Sequence, residues 1–247
     1  MILSYRHRFT FLHAPKTAGS SVKVVFAPHL GPRDIILGAR PERRAERIRP
    51  NLRAWFDAVS TLDAPGLAAA VARVSPKRVL NLQEKAYSRH FGVEVDHPSA
   101  AQLRAFDAKA WDRNFKFSFV RNPYERTASL YFFVTRTGAE KRPSFSTFLH
   151  DLQEGRGRLR RYRHLLDQWD IHAIGDRVAV DFVGRHESFE ADFRTICRRI
   201  EIPVAFAPRA KASPRYDFRD VYDEATRKLV GRLCEREIEH FGYRFAA

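Results

Sequence analysis

Twice in this chain an apolar run breaks into a polar turn and then into a helix-forming segment. The first instance is TFLHAPKTAGSSVK, Thr10 to Lys23; the second is FKFSFVRNPYERTASLYFF, Phe115 to Phe133. A strand that feeds a helix through a short turn is the unit of an α/β fold with a buried parallel sheet. The spacing of the other segments agrees. Arg8 to His13, Arg78 to Gln83, Lys116 to Arg121 and Val178 to Gly184 read as strands. Ser20 to Pro28, Phe145 to Leu152, Phe189 to Ile200 and Asp223 to Phe241 read as helices, as does Ile48 to Val74, broken at Pro65-Gly66. Ser99-Ala-Ala-Gln102 is a capping box for a helix through about Lys109. Asn122-Pro123 puts an N-cap asparagine before a first-turn proline. Strict apolar–polar alternation is scarce, as expected of strands covered on both faces. At 247 residues, one large domain spanning 1–247 is the expected organisation.

The formal net charge of +15 predicts attraction to anions: nucleotides, nucleic acid, acidic glycans or a membrane surface. The arginines are spread along the chain, which argues against a dedicated basic arm. Cys197 and Cys234 lack metal-ligand spacing and read as buried free thiols in a reducing compartment. No stretch reaches the ~20 apolar residues of a membrane span, and the N-terminus lacks the apolar core of a signal peptide. The expectation is a cytoplasmic protein with no membrane anchor.

The two turns carry the chemistry. In the first, backbone amides at a helix start are joined by Lys16, by the Thr17, Ser20 and Ser21 hydroxyls, and by Gly19, which lets an anion approach closely. The lysine precedes the glycine, so the G-x-x-x-x-G-K-[ST] loop of ATPases is absent. An ordinary strand–turn–helix with a capping serine would carry the same letters. In the second, Arg121 leaves the C-terminal end of a strand, where α/β proteins bind ligands. Ser129 follows Asn122 by seven positions, about two helical turns at ~100° per residue, so Asn122, Arg126 and Ser129 share a face. Arg121 with Ser129 makes a second anion site, unless the arginine is structural and the serine merely small. Two such sites imply a ligand with phosphates at two ends.

HAPKTAGSS and FVRNPYERTASLY resemble the two nucleotide-binding signatures of the sulfotransferases that use 3′-phosphoadenosine 5′-phosphosulfate (PAPS). VAVDFVGRHESFEADFRTIC and YDEATRKLVGRLCEREIEHFGYRF are similar to later segments of the carbohydrate branch, which includes glycan 2-O-sulfotransferases and their bacterial relatives. The matching blocks run from Phe11 to Phe245 and leave 30 to 80 uncovered. The resemblance implies a three-layer P-loop-like fold with a central parallel sheet flanked by helices. It implies that Lys16, Thr17, Ala18, Gly19, Ser20 and Ser21 hold the 5′ end of PAPS, with Lys16 also catalytic, and that Arg121 and Ser129 hold the 3′-phosphate. It implies no metal, no nucleic-acid partner, and a hydroxyl acceptor, most naturally a saccharide. Two features depart from the family. Lys211-Ala212-Ser213 stands where an Asn-x-Ser loop is common, and the anchor of the Golgi members is missing, which points to a soluble, bacterial-type member.

Transfer to a hydroxyl calls for a base, and histidine suits neutral pH. His97, in VDHPSAAQLRAF, is the candidate, since relatives have a similar H-x-[ST]-A there and Asp96 beside it favours the charged imidazole. A surface histidine ahead of a cap is the plainer reading. Glu84, with His90 behind it, is the substitute; His13 reads as structural or as support for the site. His164, His172, His186 and His240 read as solvated or core residues. Arg156, Arg158, Arg160, Arg161 and Arg163 form either an acceptor site for an acidic sugar or a solvated mobile loop, and Arg185 with Glu187 suits an ion pair at a sheet edge. Two other functions compete: a P-loop-like ATP-dependent kinase requiring Mg²⁺, which the missing G-K-[ST] opposes, and a non-catalytic basic nucleic-acid-binding domain, which charge alone supports.

Overall fold

The structure is a computed structural model; it describes residues 1–38, 49–62, 75–92, 95–136, 142–204 and 217–245. Its centre is a five-stranded sheet in the order β3 (Ile35–Ile36), β1 (Ile2–Ser4), β2 (Phe9–Leu12), β4 (Phe115–Val120), β7 (Phe182–Arg185). β2, β4 and β7 are parallel, with Leu12 opposite Ser118 and Val120 opposite Arg185. β1 and β3 extend this parallel core with antiparallel pairing at one edge. A small separate hairpin joins β5 (Ala173–Ile174) to β6 (Arg177–Val178).

Successive side chains in β2 point to opposite faces, and both faces are covered. Phe9 and Phe11 pack with Phe117 and Phe119 of β4 against α1 (Gly19–Phe26) and α9 (Phe189–Arg199), through Val22, Phe26, Phe193 and Ile196. Leu3 and Leu12 face the other way, onto α3 (Pro76–Phe91), α4 (Ala100–Phe106) and α5 (Ala108–Arg113), through Tyr87, Phe91, Leu103 and Trp111. This is the expected helix–sheet–helix layering. Each fully buried ring contributes about 1.5–3 kcal/mol, and the rings of Phe9, Phe11, Phe26, Phe117, Phe119 and Phe193 all qualify. A third cluster joins α6 (Pro123–Val134) and α7 (Phe145–Glu154) to α10 (Glu224–Leu233).

Local signals explain most boundaries. Ser99 accepts the Gln102 N–H while Gln102 Oε1 accepts the Ser99 N–H, closing the capping box of α4. Asn122 Oδ1 accepts the Tyr124 N–H and starts α6 with Pro123 in its first turn. Other expectations need correction. Arg78 to Gln83 is not a strand but part of α3, because Ser75 caps a helix whose first residue is Pro76. Val79, Leu80, Gln83, Tyr87 and Phe91 then bury at helical spacing. The C-terminal helix breaks at Cys234 into α10 and α11 (Glu235–Phe241). The basic stretch coils as a 3₁₀ helix, Gly157–Leu165, ahead of the short α8 (Trp169–His172). α2 (Leu52–Val59) packs on α3. Both cysteines are free and buried. Among the described residues no helix is long and apolar enough to cross a membrane.

Candidate active site

Because β2, β4 and β7 run parallel, their C-terminal ends open on one edge of the sheet, the edge where such folds bind ligands. Each end carries a polar turn. After β2, Lys16 and Ala18 take left-handed backbone conformations, φ 65° and 68°. Alternating backbone handedness of this kind turns successive N–H groups toward a common concavity. Thr17 is fully buried, and its hydroxyl donates to the Ala14 carbonyl at 2.8 Å, pinning the turn from inside. The Ser21 and Val22 N–H groups bend back to the Ala18 carbonyl. Those of Gly19 and Ser20 take no acceptor among the described residues, leaving two donors at the start of α1. Lys16, Ala18, Ser20 and Ser21 are half-buried.

Gly19 is required by packing. A Cβ there would fall 1.7 Å from His13 Cδ2. Gly19→Ala must push the His13 ring away and, with it, the ring of His97, 4.5 Å off. We expect this variant to fold and to lose at least ~10-fold in turnover; unchanged turnover would show that the His13–Gly19 contact does not shape the site.

After β4, Arg121 is 4% exposed. Its Nη1 donates to the Lys16 carbonyl at 3.3 Å and its Nη2 to Glu125 Oε1 at 2.5 Å. Its Nε is buried without a hydrogen-bond partner among the described residues. The two turns therefore touch through the arginine of one and the backbone of the other. The Lys16 ammonium lies 4.4 Å from the centre of the Phe133 ring, on α6, one turn beyond the buried Ser129.

Arg126, on the face shared with Asn122 and Ser129, is not available to an anion. Its guanidinium is buried in a two-pronged pair with Glu237 of α11, at 2.5 and 2.8 Å, and also donates to the Leu166 carbonyl. Nor do Arg185, the last residue of β7, and Glu187 just beyond it pair with each other. Arg185 donates to the Phe241 carbonyl at 2.6 Å and lies over the Tyr243 ring. Glu187 accepts from the Asn122 N–H at 2.7 Å and the Tyr243 hydroxyl at 3.1 Å, while Asn122 Nδ2 donates to the Arg244 carbonyl. The C-terminal segment is thereby stitched to the ends of β4 and β7.

His97 sits against the first turn. Its Nδ1 lies 2.7 Å from the His13 carbonyl, so Nδ1 carries the proton and Nε2 keeps the lone pair. Nε2 is 3.2 Å from Asp96 Oδ2. Burial lowers the His97 pKa to about 4; Asp96 pulls it up, while Lys23 and the amino terminus push it down. His13 is held well below the usual imidazole range by burial, then by Lys23 and His97. His13, Asp96 and His97 bring their donor atoms within 4.8 Å of one another, the loose outline of a cation site. His97 Nδ1 is already engaged by the His13 carbonyl, and Lys23 and the amino terminus set positive charge beside Asp96. Glu84 is buried, and its Oε1 accepts the Gly38 N–H at 3.3 Å. His90 lies against Tyr87, Phe91 and Phe106.

Two histidines read from the sequence as solvated or core lie near the candidate residues, and His164 is indeed exposed. The His164 ring, at the end of the 3₁₀ helix, is 6.5 Å from that of His97, so the arginine-rich stretch borders the site. Arg156, Arg158, Arg160, Arg161 and Arg163 are all exposed there. His186 follows β7 as Arg121 follows β4, and that parallel was the signal available in the sequence. Burial and then Arg121 lower the His186 pKa to about 4, with Glu125 opposing. His172 is a core residue, hydrogen-bonded to Ser118. Lys211-Ala212-Ser213 lies outside the described residues. A sulfotransferase family model matches residues 1–244. No curated protein and no solved structure matches the chain.

Proposed function

The chain belongs to the sulfotransferase family, and on that premise we propose that it moves the sulfuryl group of PAPS to a saccharide hydroxyl, as a single-domain cytoplasmic enzyme of the carbohydrate, 2-O-like branch. The observation that supports this reading is the hydrogen bond from Arg121 to the Lys16 carbonyl, which sets side by side the two turns read from the sequence as anion sites. The residues present fit the donor. The Gly19 and Ser20 amides, with the Ser20 and Ser21 hydroxyls and Lys16, would hold its 5′ end. Arg121, whose Nε has no hydrogen-bond partner among the described residues, would with Ser129 hold its 3′-phosphate. When bound, PAPS supplies the sulfuryl group, and the S–O bond to its phosphate breaks as the bond to the acceptor oxygen forms.

Sulfuryl transfer resembles phosphoryl transfer, where positioning and charge neutralisation supply most of the catalysis. Lys16 places a positive charge where the leaving phosphate oxygen gains negative charge. His97 Nε2 takes the hydroxyl proton, and the imidazolium so formed lies beside the Asp96 carboxylate, which stabilises it. The exposed Arg158, Arg160 and Arg163 beside His164 suit an acidic sugar.

Calorimetric titration with PAPS and with ATP·Mg²⁺, paired with ³⁵S transfer to a panel of acidic and neutral glycans, tests this reading. Tight PAPS binding and labelled glycan are the expected results; ATP binding without PAPS binding overturns it. The base carries its own prediction. A base works unprotonated, so activity is lost as pH falls through its pKa. With His97 lowered to about 4, kcat/KM holds through pH 6 and declines only near that value. His97→Gln is expected to lower kcat by about 10²–10⁴ and leave PAPS affinity unchanged. An acid limb near 6.5, or a fully active variant, would remove His97 from the role.

A further inference from the structure

Helix α2 is built inside out. Its inward residues are Ala54, Asp57 and Ala58, and Asp57 is sealed in a polar network, accepting from Arg53 at 2.7 Å, Tyr87 at 2.9 Å and Gln83 at 3.3 Å. Its outward residues are large and apolar: Leu52 is 69% exposed, Trp55 39%, Phe56 70% and Val59 47%. The spacing i, i+3, i+4, i+7 makes them one stripe. Contiguous apolar surface of this kind marks a binding face. The helix is held in place independently of the stripe: Asn51 caps it through the Ala54 N–H and donates to the Gly31 and Asp34 carbonyls.

Charge identifies the occupant. α2 packs on α3, and the acids of this pair, Asp57 and Glu84, are both buried. The exposed charges of α3 are Lys77, Arg78, Lys85 and Arg89, all positive. The sequence entering α2, residues 40–53, holds six arginines against two glutamates. A tryptophan-bearing apolar stripe on a helix pair whose exposed charges are all positive is the composition of a helix that lies in a membrane interface. A second copy fits poorly, because two chains of charge +15 repel. We propose that α2 docks this protein peripherally on an anionic lipid surface, Leu52, Trp55, Phe56 and Val59 entering the headgroup layer and the lysines and arginines pairing with lipid phosphates. The proposal is independent of the donor site and goes beyond sulfuryl transfer.

Co-sedimentation with sucrose-loaded vesicles tests it, using phosphatidylcholine alone and phosphatidylcholine with phosphatidylglycerol. Binding to the anionic vesicles, weakened by salt, is expected. Tryptophan emission should shift to the blue, and the shift reports Trp55, since Trp111 and Trp169 are already buried. Trp55→Ser with Phe56→Ser, both exposed and so tolerated by the fold, should lower partitioning at least ~10-fold; Lys85→Glu with Arg89→Glu should lower it too. Absence of binding overturns the proposal. So does binding that the charge variant loses and the apolar variant keeps, which would be surface attraction without insertion. A dimer in sedimentation equilibrium that the apolar variant abolishes would assign the face to a second copy instead.

Discussion

Lys16→Ala is expected to lower sulfuryl-transfer turnover by about 10²–10³-fold while PAPS still binds within a few-fold of the parent. The backbone donors of the first turn stay in place without the side chain: Thr17 still anchors the turn through Ala14, and the Gly19 and Ser20 amides still have no acceptor among the described residues. What is lost is the positive charge that lies over Phe133 and that, on the proposed mechanism, neutralises the leaving oxygen. Arg121→Ala should do the reverse. It removes the donors assigned to the 3′-phosphate and also the brace on the Lys16 carbonyl, so PAPS affinity falls by ~10-fold or more with a smaller change in saturated rate. Single-turnover ³⁵S transfer and calorimetry separate the two effects. If both variants turn over normally, the two turns do not form the donor site.

The largest effect on stability is expected at Arg126. The Arg126–Glu237 pair is 1% exposed on both sides, and Glu237 also accepts the Gln168 N–H at 2.9 Å. Arg126→Met leaves a buried carboxylate without its cation, which costs about 3–5 kcal/mol, or a fall in Tm of ~10 °C. The pH dependence has a definite sign. Burial alone would raise the Glu237 pKa, but Arg126 overrides it and the folded value is lowered. The stabilisation is complete above the ordinary carboxylate pKa and drains as pH falls through the lowered value. The variant should therefore lag the parent most at neutral pH and least in acid. Urea unfolding at pH 7 and pH 4 measures this. Equal stability at pH 7 would show that the pair contributes nothing net.

Much of the frame was legible in the residues. β2 and β4 could be read as apolar runs ending in polar turns, and α4 and the start of α6 from explicit cap signals, the Ser99 box and Asn122-Pro123. α3 was misread as a strand because Val79-Leu80 and Leu82 form a short apolar run, which fits a buried strand or a helix face equally until Ser75-Pro76 is weighed as a helix start. The antiparallel edge was not legible: β1 has three residues and β3 two, and only pairing with β2 defines them. In the site, the nearness of Lys16 and Arg121 followed from two adjacent parallel strands. The fate of Arg126 did not, because helical spacing gives a face but not the Glu237 that meets it from 111 residues away. The nearness of His164 to His97 was hidden for the same reason.

The left-handed conformations of Lys16 and Ala18 have a further meaning. Side chains with a Cβ resist that geometry at roughly 1–3 kcal/mol each, so the fold tolerates this tension before any ligand arrives. A glycine at either place would relax the chain and let the cradle wander among many shapes. Keeping lysine and alanine there narrows the turn's choice of shapes in advance, so an anion bound there, as we propose, would meet ordered donors, and the cost of that order would fall on the heat tolerance of the unliganded protein instead of on the affinity.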